Sequence, residues 1–313
     1  MYPYDHKRGQ RIQTNAPGVA VDRAFLAHFQ ISAEDAVAAD SDGVALITLG
    51  AEAQTVTTGF NDPAVPRTLS IVSNKANGAG DVKITGLNYA DEAITETLAL
   101  NGTTARKGAK AFKKITKIEL PAQTNTPVKQ VETATAAGTV TTAGNAAVTV
   151  TSKLFAEPVV VAVPVEADND ANAIATAIRT ALAANASIAA HFNVSGEDAA
   201  VVLTAKVAAA NDTTLNIAIA DGTGEGGSVG VTTAATSTNT TAGVAPDTVS
   251  VGWEDALGLP FLLPHNTVLA AYLDNVLETT APTVTTSKTA IESNTITLNS
   301  SLNGKQVDAY LII

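Results

Sequence analysis

The side chains of this chain that could do chemistry are four histidines, several adjacent carboxylates and one glycine-rich segment. Gly222-Thr223-Gly224-Glu225-Gly226-Gly227 satisfies G-x-G-x-x-G and follows a strand-like stretch at 215–219. A dinucleotide loop must next open a helix, so that the helix amides and dipole face the pyrophosphate. The continuation Ser228-Val229-Gly230-Val231-Thr232-Thr233 has no helical pattern, and Glu225 would set a negative charge beside the phosphates. The segment is therefore read as a flexible loop. His6, His28, His191 and His265 are widely separated, with no partner at metal-ligand spacing, and no H-E-x-x-H, G-x-S-x-G or P-loop occurs. The carboxylates Glu34-Asp35, Asp91-Glu92, Glu197-Asp198 and Glu254-Asp255 are adjacent in sequence. Catalytic acid/base pairs are instead held across a cleft, so these are read as solvated turns or helix starts. Asp40/Asp42 and Asp168/Asp170 have a spacing that Ca²⁺ loops use, yet neither continues as an EF-hand, and both are read as turns and caps. The sequon Asn101-Gly102-Thr103 carries no weight without a secretory signal. With no Cys in the chain, disulfides, thiolate nucleophiles and cysteine-ligated metals are excluded. The expectation is no catalytic residues, no metal, no cofactor and no enzymatic activity.

Charge points toward a surface. The net charge is −11 over 313 residues. Lys7, Arg8, Arg11 and Arg23 stand against Asp5 and Asp22 in residues 1–30, a local net of +2, which leaves −13 for the remainder. An acidic body repels a polyphosphate backbone, so nucleic-acid binding is not expected. The cationic arm can reach an acidic neighbouring surface, and these four cations are the candidate contact residues. No apolar stretch approaches the roughly 18 residues of a membrane helix, and the N-terminus lacks the apolar segment of a signal peptide. The chain is expected to be soluble and made in the cytoplasm.

The elements that must position these groups are mainly strands. Aromatic residues are only 4% of a chain that is 45% hydrophobic, so a core of small and β-branched side chains must be shared among many strands. Pro3, Gly9, Pro17 and Gly18 break regular structure, and 1–30 is read as an arm whose residues 19–29 could dock as a strand or short helix. Short apolar bursts at 44–47 and 55–57 read as strands. Alternation at 67–72, 82–87, 94–100 and 112–120 predicts four more, with a tight hairpin turn at Asn101-Gly102. Residues 131–245 are rich in Ala, Thr and Val and hold three basic side chains, Lys153, Arg179 and Lys206, against ten acids. Here Asp168-Asn169-Asp170 offers N-cap groups, and Ile174, Ile178 and Leu182 recur at a spacing of four, which predicts the one helix. Strand-like runs at 147–151 and 158–165 precede it, and others at 199–204 and 214–219 follow it, giving the order β-β-α-β-β between flexible stretches at 133–145 and 222–243. Strands return at 248–251, 267–273, 283–286, 295–298 and 307–313. The predicted fold is mainly β: a β-sandwich-like domain with an inserted α+β module and an extended N-terminal arm. Its parts are the arm 1–30, a β domain at 31–130 and 246–313, and the inserted module at 131–245.

Several runs carry a resemblance. Val82-Lys83-Ile84-Thr85-Gly86-Leu87, Ile94-Thr95-Glu96-Thr97-Leu98-Ala99-Leu100-Asn101-Gly102-Thr103 and Lys110-Ala111-Phe112-Lys113-Lys114-Ile115-Thr116-Lys117-Ile118 resemble a segment of tailed-bacteriophage virion proteins. Asp247-Thr248-Val249-Ser250-Val251-Gly252-Trp253 and the closing Tyr310-Leu311-Ile312-Ile313 are similar to its continuation, and the middle module to modules of phage structural proteins. The resemblance covers most of 65–313 and implies a capsid decoration or head-fibre protein. The expected function is a non-enzymatic virion protein that decorates and stabilises the outer capsid surface. Its expected partners are the major capsid protein and further copies of itself, a trimer among the closed forms, with no nucleic acid and no membrane. The alternative is a phage tail, fibre or adhesin module binding host-surface glycan.

Overall fold

A computed structural model describes residues 26–224, 227–263 and 268–313. In the first part of the chain the strands are β1 (Leu26–Ile31), β2 (Asp40–Thr48), β3 (Gln54–Val56), β4 (Arg67–Ser73), β5 (Asp81–Leu87), β6 (Ala93–Ala99), β7 (Arg106–Phe112) and β8 (Lys114–Leu120). The middle contains β9 (Val131–Thr135), β10 (Gly144–Thr151), β11 (Val159–Val165), α1 (Ala171–Ala184), α2 (Ala186–His191), β12 (Phe192–Ser195), β13 (Ala200–Ala205), β14 (Asn216–Gly224), β15 (Gly227–Ser228) and β16 (Thr238–Thr241). The last part holds β17 (Thr248–Gly258), β18 (Val268–Leu273), β19 (Val276–Leu277), β20 (Thr283–Thr285), β21 (Thr295–Thr297) and β22 (Val307–Ile312). The protein is mainly β, every pairing between the described strands is antiparallel, and the chain divides into two compact units. The second unit, Asn125–Asp247, lies in sequence between the two parts of the first.

The first unit has two cores joined by one long strand. A six-stranded sheet runs β20-β21-β17-β4-β7, with β2 also paired to β17. Its inward residues Leu69, Ile71, Val249 and Val251 share a core with Val82, Ile84, Ile94 and Ile118 of the four-stranded sheet β3-β8-β5-β6. The alternation of β5, with Val82 and Ile84 buried and Asp81 and Lys83 exposed, is what a sheet with one wet face requires. The second core lies behind the sheet β1-β22-β18-β19. Phe29, Ile31, Ala271, Leu273, Val307, Ala309 and Leu311 pack there with Leu257, Leu259 and Ile296. β17 serves both cores because its register slips between Trp253 and Leu257, a bulge that re-aims its last residues.

The inserted unit builds one core from two four-stranded sheets, β11-β10-β14-β15 and β12-β13-β9-β16, and from α1. Asp170 caps α1 by accepting the Ala173 N–H at 2.9 Å, and Ile174, Ala175, Ile178 and Leu182 form its buried stripe. Asn185 ends α1 and caps α2, its side chain accepting the N–H groups of Ser187 and Ile188. Val148, Val150, Val163, Ile217 and Leu203 complete the interior. Pro164 sits in β11, an edge strand, where a missing N–H costs no ladder bond.

Several elements differ from the sequence-based expectation. Residues 26–30, placed in the arm, belong to β1, which pairs along its length with β22, so that of the two forms expected for 19–29 the described part is a docked strand. The run 112–120 is two strands: Phe112 ends β7 in one sheet, and after a bend at Lys113 β8 begins in another. β7 itself has the sequence Arg-Lys-Gly-Ala-Lys-Ala-Phe, too polar to alternate visibly. The module is not β-β-α-β-β. Among the described residues it holds eight strands and a second helix, and the stretches expected to be flexible contain β9, β15 and β16. Val-Glu-Thr-Ala-Thr of β9, Gly-Ser of β15 and Thr-Asn-Thr-Thr of β16 carry little hydrophobic contrast, so pairing partners and not periodicity define these strands.

Candidate functional site

The outward face of the sheet β1-β22-β18-β19 brings a histidine, a carboxylate and two tyrosines into adjacent register positions. Register sets it row by row. Leu26 lies opposite Ile312, His28 opposite Tyr310, and Gln30 opposite Asp308, which in turn lies opposite Tyr272 and then Leu277. Because directly paired residues point to the same side, these side chains share one face, while Ala27, Phe29, Ala309 and Leu311 fill the core behind. The His28 ring stacks on Tyr310 with centroids 4.6 Å apart and planes 10° from parallel. His28 Nε2 lies 2.9 Å from Asp308 Oδ1, and Gln306 donates to the other Asp308 oxygen at 2.7 Å. Tyr272 meets Tyr310 edge to face at 6.3 Å. Leu26 at 64% exposure, the bulged Leu269 at 56% and Leu277 at 51% leave large apolar surface around this polar centre.

An imidazole held by a carboxylate is also the orienting half of a catalytic base. Here one face of the ring is taken by Tyr310. Sequence reading placed His28 in the arm and did not find Asp308, Tyr310 or Tyr272 as its partners. The alternation of Val307-Asp308-Ala309-Tyr310-Leu311 does put Asp308 and Tyr310 on one face, but His28 is 280 residues away in sequence.

The remaining candidates are placed as follows. Lys7, Arg8, Arg11 and Arg23, with His6, His265 and Glu225, lie outside the described residues. His191 ends α2 and meets Phe155 edge to face at 5.9 Å. Asp35 bonds Ser32 in a local turn, Asp40 accepts the Asp42 N–H, and Asp168 and Asp91 take positive φ values of 66° and 62°. Asp91 pairs with Lys113 at 2.7 Å and Glu92 accepts from Asn88 at 3.0 Å. Glu254 pairs with Lys107, and Asp255 accepts the Ala39 N–H at 3.0 Å. The Asp198 and Ala200 carbonyls accept from Arg179. The carboxylates of Asp35, Asp40, Asp91, Glu92, Glu254 and Asp255 are thus engaged within the fold, and among the described residues no group of three or more His, Asp or Glu side chains is placed to hold a metal. Of the glycine motif, Gly222 and Gly224 lie in β14 and Gly227 opens β15, paired with Gly224, so the segment belongs to a hairpin and no helix follows.

Among the described residues no helix is long and apolar enough to cross a membrane. Comparison with family models, with curated proteins and with solved structures finds no match to this chain.

Proposed function

We propose that this protein is a non-enzymatic structural component of a bacteriophage virion that decorates and stabilises the outer surface of the capsid. The fold assigned with this reading is a β-sandwich-like domain carrying an inserted α+β module. The observation that carries it is the outward face of the β1 sheet, where His28, Asp308, Tyr310 and Tyr272 form a hydrogen-bonded, stacked centre framed by exposed leucines. Exposed apolar area of this kind is stabilised when covered by a partner surface. The cationic residues Lys7, Arg8, Arg11 and Arg23 precede β1 directly in the chain. They would reach across the neighbouring capsid subunit while the sheet face docks, adding area that a compact body lacks. An acidic body suits an outward position, away from packaged DNA. The partners in this reading are the major capsid protein and further copies of this chain.

The test is co-sedimentation of the purified protein with capsids that lack it, followed by imaging. Saturable binding at symmetry-related positions on the head is expected. Removal of residues 1–17, or Leu26→Asp together with Leu277→Asp on the sheet face, should each weaken binding by about tenfold or more, which corresponds to roughly 1.4 kcal/mol. Binding at the tail, or to host-surface glycan without head binding, would replace this reading with that of a receptor-binding module.

A further inference from the structure

The inserted unit contains a pocket of about 470 Å³ between the β10–β11 loop, the start of β12 and the segment that follows β13. Phe192 and Leu215, both buried, contribute to its lining. Leu154 and Val207 also line it, at 54% and 74% exposure, although both are large apolar side chains. The volume lies within the range of about 300–1,000 Å³ of pockets that enclose small molecules. Exposed apolar lips on a concave site lose their unfavourable hydration only when something apolar enters.

The charge around the pocket is opposite to that of the unit carrying it. Across Asn125–Asp247 there are four basic residues, Lys129, Lys153, Arg179 and Lys206, against eleven acids. Lys153 and Lys206 both line this pocket, together with His191. The one acid in the lining is Asp212, and its carboxylate is already occupied. Oδ2 accepts from Ser152 Oγ at 2.9 Å and from the Lys153 N–H at 2.8 Å, while Oδ1 accepts from the Thr214 N–H at 2.9 Å and from Thr214 Oγ1 at 2.6 Å. Asp212 is also locked to Gln130 through its backbone, the Asp212 N–H donating to Oε1 at 2.7 Å and the carbonyl accepting from Nε2 at 2.9 Å. It therefore acts as a fixed brace for the pocket wall. Lys206 donates to the carbonyl of Ala189, the residue before the lining Ala190, and keeps two further N–H donors.

We propose that this pocket binds a small amphipathic anion, an apolar body the size of a medium acyl chain carrying one carboxylate, with Lys206 and Lys153 facing the carboxylate and Leu154, Val207 and Phe192 enclosing the apolar part. The inference concerns the inserted unit and goes beyond the capsid role of the first unit. The test is isothermal titration of the full chain with dodecanoate below its micelle concentration, with dodecyltrimethylammonium and dodecanol as matched probes. Saturable binding of one dodecanoate per chain is expected, with no binding of the cation and weaker binding of the alcohol. Lys206→Met, which keeps the apolar stem, should weaken dodecanoate by about tenfold, since charge-assisted contacts are the strong ones. Val207→Asp, at an exposed position that leaves the core intact, should abolish binding. Absence of saturable binding, equal affinity for the cationic probe, or full affinity in Val207→Asp would each overturn the proposal. Capsid binding is read separately, so its failure and the failure of this site are distinguishable.

Discussion

Arg67 has no exposed surface, and its guanidinium donates to the carbonyl oxygens of Val37 and Glu254. Burial lowers its pKa from the ordinary guanidinium value, and Asp255 offsets part of that. Its role is to tie the loop before β2 to the bulge of β17, which a sequence pattern cannot reveal in an isolated arginine. Asp212 is held in a different way. Burial pushes its pKa up, but hydrogen bonds from Thr214, Lys153 and Ser152 together outweigh this and hold it below the usual carboxylate value. A carboxylate whose folded pKa is depressed contributes stability that is present above the unfolded pKa, about 3.9, and lost as pH falls through the lower folded value. Asp221 has the same sign, with the Ser228 hydroxyl as the leading cause and the amides of Val231, Gly222 and Gly230 assisting. Asp212→Asn places an NH₂ donor against existing donors, and is expected to cost about 1–3 kcal/mol at neutral pH. Thermal unfolding of both proteins across pH checks this. The gap between wild type and variant should narrow as pH falls below about 4, and a gap independent of pH would show that the charge is not the source.

Among the elements, the corner at Asn101-Gly102 carries the clearest lesson. The dipeptide is a hairpin signal, yet β6 pairs with β5 in one sheet while β7 pairs with β4 in the other, so the corner crosses between sheets. Gly102 has φ +59°, its N–H donates to the Gly78 carbonyl at 2.9 Å, and its own carbonyl accepts from Ser73 at 3.2 Å. A Cβ here would lie 2.3 Å from the Ala76 carbonyl oxygen. Backbone strain and this collision act together, so Gly102→Ala is expected to destabilise the first unit by at least about 1–3 kcal/mol. Denaturant unfolding with Trp253, the single tryptophan, as the fluorescent reporter measures it; Trp253 packs beside the core served by both sheets. An unchanged midpoint would mean that the corner relaxes to accept a side chain.

At the scale of the molecule, the second unit enters and leaves through a closed neck. Val128 and Val244 exchange N–H···O bonds of 3.0 and 2.9 Å, and Asn125 donates to the Asp247 carboxylate from its backbone at 3.0 Å and from its side chain at 3.1 Å. The second unit has one buried core and the first has two, and among the described residues the cores of the first unit take none from 125–247. Removing Asn125–Asp247 and joining Thr124 to Thr248 through a short glycine-serine linker should therefore leave a folded first unit. Loss of the chemical-shift dispersion or cooperative melt of the remainder would contradict it.

The sequence by itself determined the local grammar. Val82 and Ile84 alternating with polar neighbours specify a strand with one wet face, and Asp170 with Ile174, Ile178 and Leu182 specifies a capped amphipathic helix. These features depend on side chains within a few residues of one another. Tertiary structure decided where those strands pair, that Phe112 and Ile115 belong to different sheets, and that Thr-rich segments at 131–135 and 238–241 are strands. It also decided both candidate sites. His28 meets Asp308 across 280 residues, and Ser152 reaches Asp212 across 60. Antiparallel pairing between distant strands sets such contacts, and neither composition nor periodicity along the chain encodes which strand lies beside which.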